Sequence, residues 1–217
     1  MAKRLGEPMS GSIAGMTYSH NKGGQYIRNR RTPTNPNSVK QQAMRAILST
    51  LSGGWSGLTV TQQNAWSSWA SLNPKIDSLG QSIIMSGQQA YVSLNSRLLQ
   101  SGTTAASSPP AGTGPAQLTT VTAAWVAPFA VTVTFTTTPL AAGLKLAVFA
   151  SLPSTKGRNP NYNQARLLGY SAAAAASPAA ITSPYTGIAT QQSNIYVSVM
   201  DAAGRLSPPQ KVTVVLT

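Results

Sequence analysis

The chain contains no cysteine, which excludes disulfides, thiolate nucleophiles and zinc–thiolate sites. Carboxylates are nearly as scarce, with only Glu7, Asp77 and Asp201 among 217 residues, and His20 is the single histidine. Acid–base catalysis usually needs a titratable side chain at the reacting atoms, and no two of these acids lie close in sequence. Neither a metal cluster nor a paired-carboxylate site is therefore indicated. His20 stands beside Asn21 and Lys22 in a glycine-rich stretch and reads as a solvated side chain. There is no G-x-S-x-G serine and no phosphate-loop lysine, and Gly11 to Gly15 reads as flexible chain. We therefore expect a protein that is not an enzyme, with no cofactor and no bound metal. No apolar run of roughly 18 residues occurs, and the N-terminus lacks the apolar core of about 7 to 15 residues that a signal peptide needs. The expectation is a soluble protein with no membrane partner.

Lysine and arginine are plentiful by comparison. Sixteen cations against three acids give a net charge of +13, so the expected partners are anionic. Eight of the sixteen, Lys3, Arg4, Lys22, Arg28, Arg30, Arg31, Lys40 and Arg45, fall within the first 45 residues. Charged residues as a whole are only 9%, against a usual value of about 25%. The surface must then be built mainly from Ser, Thr, Gln, Asn and Gly, while 41% hydrophobic residues still suffice for a core.

Residues 1–37 form a basic arm, expected to be extended. Within it, Asn21-Lys22-Gly23-Gly24 separates two short alternating runs and predicts a β-hairpin turn. Tyr26, Arg28, Arg30 and Arg31, with Lys22, Lys40 and Arg45, are the candidate partner-binding residues. Basic residues interleaved with aromatics suit either a nucleic-acid backbone or an acidic protein surface, and the lack of any recognised nucleic-acid-binding motif favours the protein surface.

Residues 38–100 form a short-helix region. Ser38 with Gln41, Thr59 with Gln62 and Ser86 with Gln89 each match a capping box, in which hydroxyl and amide satisfy each other's backbone donors. After the first, Met44, Ile47, Leu48 and Leu51 form an apolar stripe expected to end at Gly53-Gly54. The second carries Ala65, Trp66, Trp69 and Ala70. The third carries Ala90, Tyr91, Leu94 and Leu98, closed by Gly102. Trp55, Trp66 and Trp69 are read as the core of this region.

Residues 101–116, SGTTAASSPPAGTGPA, are rich in Gly, Pro, Ser and Ala and read as a linker. Residues 117–217 show seven short alternating segments, at 117–124, 130–137, 144–151, 167–171, 179–182, 194–200 and 211–216. Such spacing predicts an independent β-sandwich of immunoglobulin or fibronectin type III kind, and the lack of cysteine favours the latter. Val131, Val133, Phe135, Leu146, Val148, Tyr196 and Val214 are its expected inward positions. The fold class is thus α+β, as an arm, a helical region and an all-β domain.

One series of residues carries a family resemblance. Gly23-Gly24-x-Tyr26-x-Arg28 is followed by Pro33-x-Asn35-Pro36-x-Ser38-x-x-Gln41-x-x-x-Arg45. Leu51-Ser52-x-x-Trp55-x-x-Leu58-Thr59-x-x-Gln62-x-x-Ala65-Trp66 comes next, and then Tyr91, Leu94, Asn95, Leu98 and Gly102. This resembles the N-terminal region of uncharacterised phage and prophage virion-associated proteins that continue into a proline-containing linker and a β-domain. The resemblance implies a virion or prophage context and no established activity; joined to the architecture of arm, helices and β-domain, it leads us to expect a multi-copy structural role with the major capsid protein or other virion proteins as partners. A capsid cement or decoration protein is the expected function. The alternatives are a neck or tail component and an internal protein that binds nucleic acid through its arm.

Overall fold

The computed structural model describes residues 2–3, 10–21, 24–32, 34–76, 80–136, 138 and 140–217; Arg4, Glu7, Lys22 and Asp77 lie outside them. The class is α+β with antiparallel sheets. The chain divides into two compact units, Met1–Gln42 and Ala43–Thr217.

Where an extended arm was expected, the first unit holds a four-stranded sheet. Its strands are β1 (Ala2–Lys3), β2 (Gly11–Ile13), β3 (Met16–Asn21) and β4 (Gly24–Asn29), in the order β1-β4-β3-β2. The expected hairpin is β3–β4, paired from Met16 with Asn29 to Asn21 with Gly24. The stretch read as flexible is a second hairpin, since Ile13 pairs with Met16 across Ala14 and Gly15. These two residues have φ of 49° and 79°, and a type I′ turn demands positive φ at both central positions. Ala-Gly is not among the usual signals for that turn, which is why alternation alone did not reveal it. Beyond β4, the Arg30 amide donates to the Gly15 carbonyl at 2.7 Å. The described residues from 30 to 38 have no regular secondary structure.

The helices start at the three expected capping boxes. They are α1 (Val39–Ser56), α2 (Val60–Leu72) and α3 (Gly87–Gln100), with a small hairpin of β5 (Lys75–Ile76) and β6 (Ser82–Ile83) between the last two. Ser38 accepts from the Gln41 amide at 3.4 Å while Gln41 Oε1 accepts from the Ser38 amide at 3.1 Å. Thr59 with Gln62 and Ser86 with Gln89 repeat the pattern. One boundary differs, because α1 continues through Gly53 and Gly54 for a further turn. A Cβ on Gly54 would lie 2.9 Å from the Tyr91 hydroxyl, so that glycine admits a close neighbour and does not terminate the helix. α3 ends as expected at Gly102, with φ of 75°. Thr103 N–H donates to Leu98 O and Gly102 N–H to Leu99 O, the two bonds of a Schellman motif.

Leu51, Trp66, Ala70, Ala90, Tyr91 and Leu94 make the buried cluster of the helices, with Trp55 and Trp69 half-buried at its rim. Tyr91 packs between Trp55 and Trp66 at centroid distances of 5.6 and 5.5 Å.

Residues 101–116 are held rather than free. Asn95, fully buried, accepts from the Ala106 amide at 2.6 Å and donates to its carbonyl at 3.2 Å. Trp66 Nε1 donates to Ser107 O at 2.9 Å, and Arg205 donates to Gly112 O at 2.6 Å and Ala111 O at 3.2 Å. Composition predicted a spacer, but backbone carbonyls of this stretch are tied by side chains on either side of it. The helices and the β-region accordingly belong to one compact unit.

The β-region comprises β7 (Val121–Val126), β8 (Ala130–Phe135), β9 (Lys145–Ala150), β10 (Arg166–Tyr170), β11 (Ala179–Thr182), β12 (Gln192–Met200) and β13 (Gln210–Val215). They form a three-stranded sheet, β11-β8-β7, and a four-stranded sheet, β10-β9-β12-β13. Both sheets contribute to one apolar core, including Trp125, Val131, Val133 and Phe135 from the first and Leu146, Val148, Ile195, Val197, Val199 and Val214 from the second. Tyr196 belongs to the opposite face of β12, where its hydroxyl donates to Pro160 O at 3.0 Å. Its expected inward place is taken by the neighbours on either side, because side chains alternate along a strand. Residues 193 to 200 are buried on both faces.

Candidate partner-binding surfaces

The faces of the first unit follow from register. Ile13, Met16, Tyr18 and Ile27 share one face with the polar His20, Gln25 and Asn29, since Ile13 pairs with Met16, Tyr18 with Ile27, and alternate residues project together. Ser12, Thr17, Ser19, Tyr26 and Arg28 share the other, where Ser12 and Thr17 hydroxyls lie 2.9 Å apart. Ile13 and Met16 are 61% and 40% exposed, and Tyr18 and Ile27 only partly covered. None of the described side chains in this unit is buried.

The expected partner-binding residues distribute unevenly. Tyr26 is half-buried and Arg28 exposed on the polar face of β4. Arg30 and Arg31 follow directly and are exposed. Lys22 lies outside the described residues. Lys40 is exposed in the first turn of α1, and Arg45, also on α1, belongs to the second unit. Tyr26 and Arg28 thus share a face of β4, and Arg30 and Arg31 follow them in sequence. The apolar face beside them was missed, although alternation of Ile13, Met16 and Tyr18 carried the signal.

In the second unit, α1 keeps Met44 and Leu48 exposed at 36% and 46% while Leu51 is buried, so its apolar stripe is only partly covered. Trp66 is buried and Trp55 and Trp69 half-buried within the helical cluster.

Among the described residues of this unit no lysine or arginine is fully buried, but Arg97 and Lys145 are partly covered. Arg97 on α3 donates to Gly204 O at 3.0 Å, and burial lowers its pKa, an effect offset by Tyr170 and Tyr162. Burial raises the phenols of Tyr162 and Tyr170, while Arg97 pulls both down. Lys75 is lowered by burial and then by Arg97. Lys145 donates to Ser101 O at 2.8 Å, placing a cation at the C-terminus of α3, where the helix dipole favours it. Among the described residues a single ion pair occurs, Arg205 with Asp201 at 2.7 Å. No group of three His, Cys, Asp or Glu side chains that could hold a metal is found among them either, and no described helix is long and apolar enough to cross a membrane.

Comparison with protein-family models and with curated proteins finds no match to this chain.

Proposed function

We propose that this chain is a structural component of a phage virion, a capsid cement or decoration protein that docks on the shell through its N-terminal sheet. The observation that carries this reading is the amphipathic sheet with no buried side chain among its described residues. Small isolated sheets are marginal in water, and an exposed apolar face gains most by being covered. Arg28, Arg30 and Arg31 beside it favour an acidic docking surface.

The β-region supports the same reading. Lettering β7 to β13 as A to G, a constant-type immunoglobulin sandwich would place the fourth strand with A, B and E. Here the fourth strand, β10, pairs with β9 instead, giving A-B-E against a sheet of the fourth strand with C, F and G. That arrangement favours the fibronectin type III kind. Immunoglobulin-like modules recur as appendages on phage heads and tails, and the resemblance of residues 23–102 points the same way.

Purified virions test the proposal. A stoichiometry comparable with the major capsid protein is expected from quantitative mass spectrometry. A single ring of copies would move the protein to the neck or tail, and its absence from particles would overturn the virion reading.

A nucleic-acid contact is the second reading, favoured by Tyr26 and Arg28 sharing the polar face of β4. It requires DNA affinity that falls with salt at a slope of about −0.9 per phosphate contacted. A salt-independent or undetectable affinity leaves the protein-surface reading.

A further inference from the structure

α3 meets the turn after β12 through Arg97 and Gly204, and the start of β9 through Lys145. At the opposite end of β12, backbone bonds gather the β7–β8 turn, the chain leading into β12 and the end of β13. Gly187 N donates to Pro128 O at 3.0 Å, Ser183 N to Phe129 O at 2.8 Å, Ala127 N to Thr217 O at 2.8 Å and Thr190 N to Leu216 O at 2.9 Å. Val126, Phe129, Ile188 and Val215, each within one residue of such a bond, are 51%, 41%, 70% and 43% exposed. Alternation turns Val126 and Val215 outward, because Trp125, Val214 and Leu216 fill the core. The sandwich thus carries an apolar tip at its end away from α3.

Charge divides sharply around this tip. Segments 125–130, 184–191 and 212–217 hold no charged side chain. Cations stand beside them. The loop that carries Lys156 and Arg158 leaves β9 past Pro153, whose Cγ would lie 3.5 Å from a Cβ on Gly187. Arg166 lies over the Tyr185 ring at 5.8 Å. All three cations are exposed, and Asp201, the only acid among the described residues, is at the other end of β12 and paired with Arg205.

We propose that this tip binds the surface of an anionic lipid bilayer, with Phe129 and Ile188 entering the head-group region and Lys156, Arg158 and Arg166 meeting its negative charge. Apolar side chains on neighbouring turns with cations beside them match both layers of such a surface. A second copy of this chain, at +13, would bring the same cations against these and is disfavoured. The lack of a long apolar run, on which the expectation of no membrane partner rested, does not bear on a contact that spans nothing. The inference is independent of docking by the N-terminal sheet.

Because the full chain has no cysteine, Ile188→Cys and, as a control in the turn after β12, Ala202→Cys each accept one environment-sensitive fluorophore. Both labelled proteins are titrated with vesicles of phosphatidylcholine, alone or with a third of phosphatidylglycerol. The label at position 188 should shift to the blue and saturate with the anionic vesicles only, while the label at position 202 stays in water. Adding Phe129→Ala should weaken binding about tenfold, and Lys156→Gln with Arg158→Gln about fivefold per charge. Thermal unfolding establishes that each variant is folded, and the charge variant carries the test if Phe129→Ala is not. Adsorption through the basic N-terminal residues alone would leave the label at position 188 in water and overturn the proposal. An equal response to neutral vesicles, or affinity unchanged in a folded variant, would also overturn it.

Discussion

A methyl group on Gly204 would sit 2.5 Å from the Leu94 carbonyl oxygen and 3.3 Å from Leu98 Cγ, and Gly204 has φ of 80°. The turn after β12 therefore approaches α3 as only glycine allows, and Arg97 ties the same residue by its carbonyl. Gly204→Ala should cost about 1–3 kcal/mol in urea unfolding, from positive φ alone and before any displacement of α3. The phenols beneath Arg97 make a second residue-level prediction. Tyr162 and Tyr170 are raised above their ordinary 10.0 by burial, so above about pH 10 the folded state holds protons that the unfolded chain releases. Their contribution is complete below that pH and is lost as pH rises through the raised values. Replacing both with Phe should flatten the fall in stability above about pH 10, measured by denaturant titration. Lys75, lowered by burial, acts with the opposite sign but is common to both proteins. At this scale the sequence was partly legible. Six of seven expected inward β positions lie in the core, whereas Tyr196 could be assigned to a face only by register. Arg97 gave no signal, since its role depends on residues distant in sequence.

Helix starts were legible because capping is local. Thr59 and Ser86 both complete the reciprocal bonds expected of them, so Thr59→Ala and Ser86→Ala should each cost about 1 kcal/mol by chemical denaturation. Strands of the β-region were also legible, as at 179–182, because alternation and turn residues bracket them closely. Gly53-Gly54 misled because a glycine near a helix end has two uses, a left-handed cap or room for a neighbour. Only the position of Tyr91 decides between them. The N-terminal sheet was half legible: Asn21-Lys22-Gly23-Gly24 marked the break between β3 and β4, while Ala14-Gly15 lacked the usual turn chemistry.

Over the whole molecule, the stretch 101–116 shows why composition alone could not divide the chain. Its polar, proline-rich sequence has no apolar period, yet Asn95, Trp66 and Arg205 hold its backbone. Residues 43–217 should therefore unfold in one transition by calorimetry, with a fragment from 117 onward melting lower because α3 and its contacts at Gly204 are gone. The central claim, that docking resides in the N-terminal sheet, is tested most directly by binding to particles that lack the protein. The full chain and a chain beginning at Ala43 are each incubated with such particles and recovered by sedimentation. The account predicts that the full chain co-sediments to saturation and the shortened chain, still folded, stays in solution. Equal co-sedimentation of the shortened chain would contradict it.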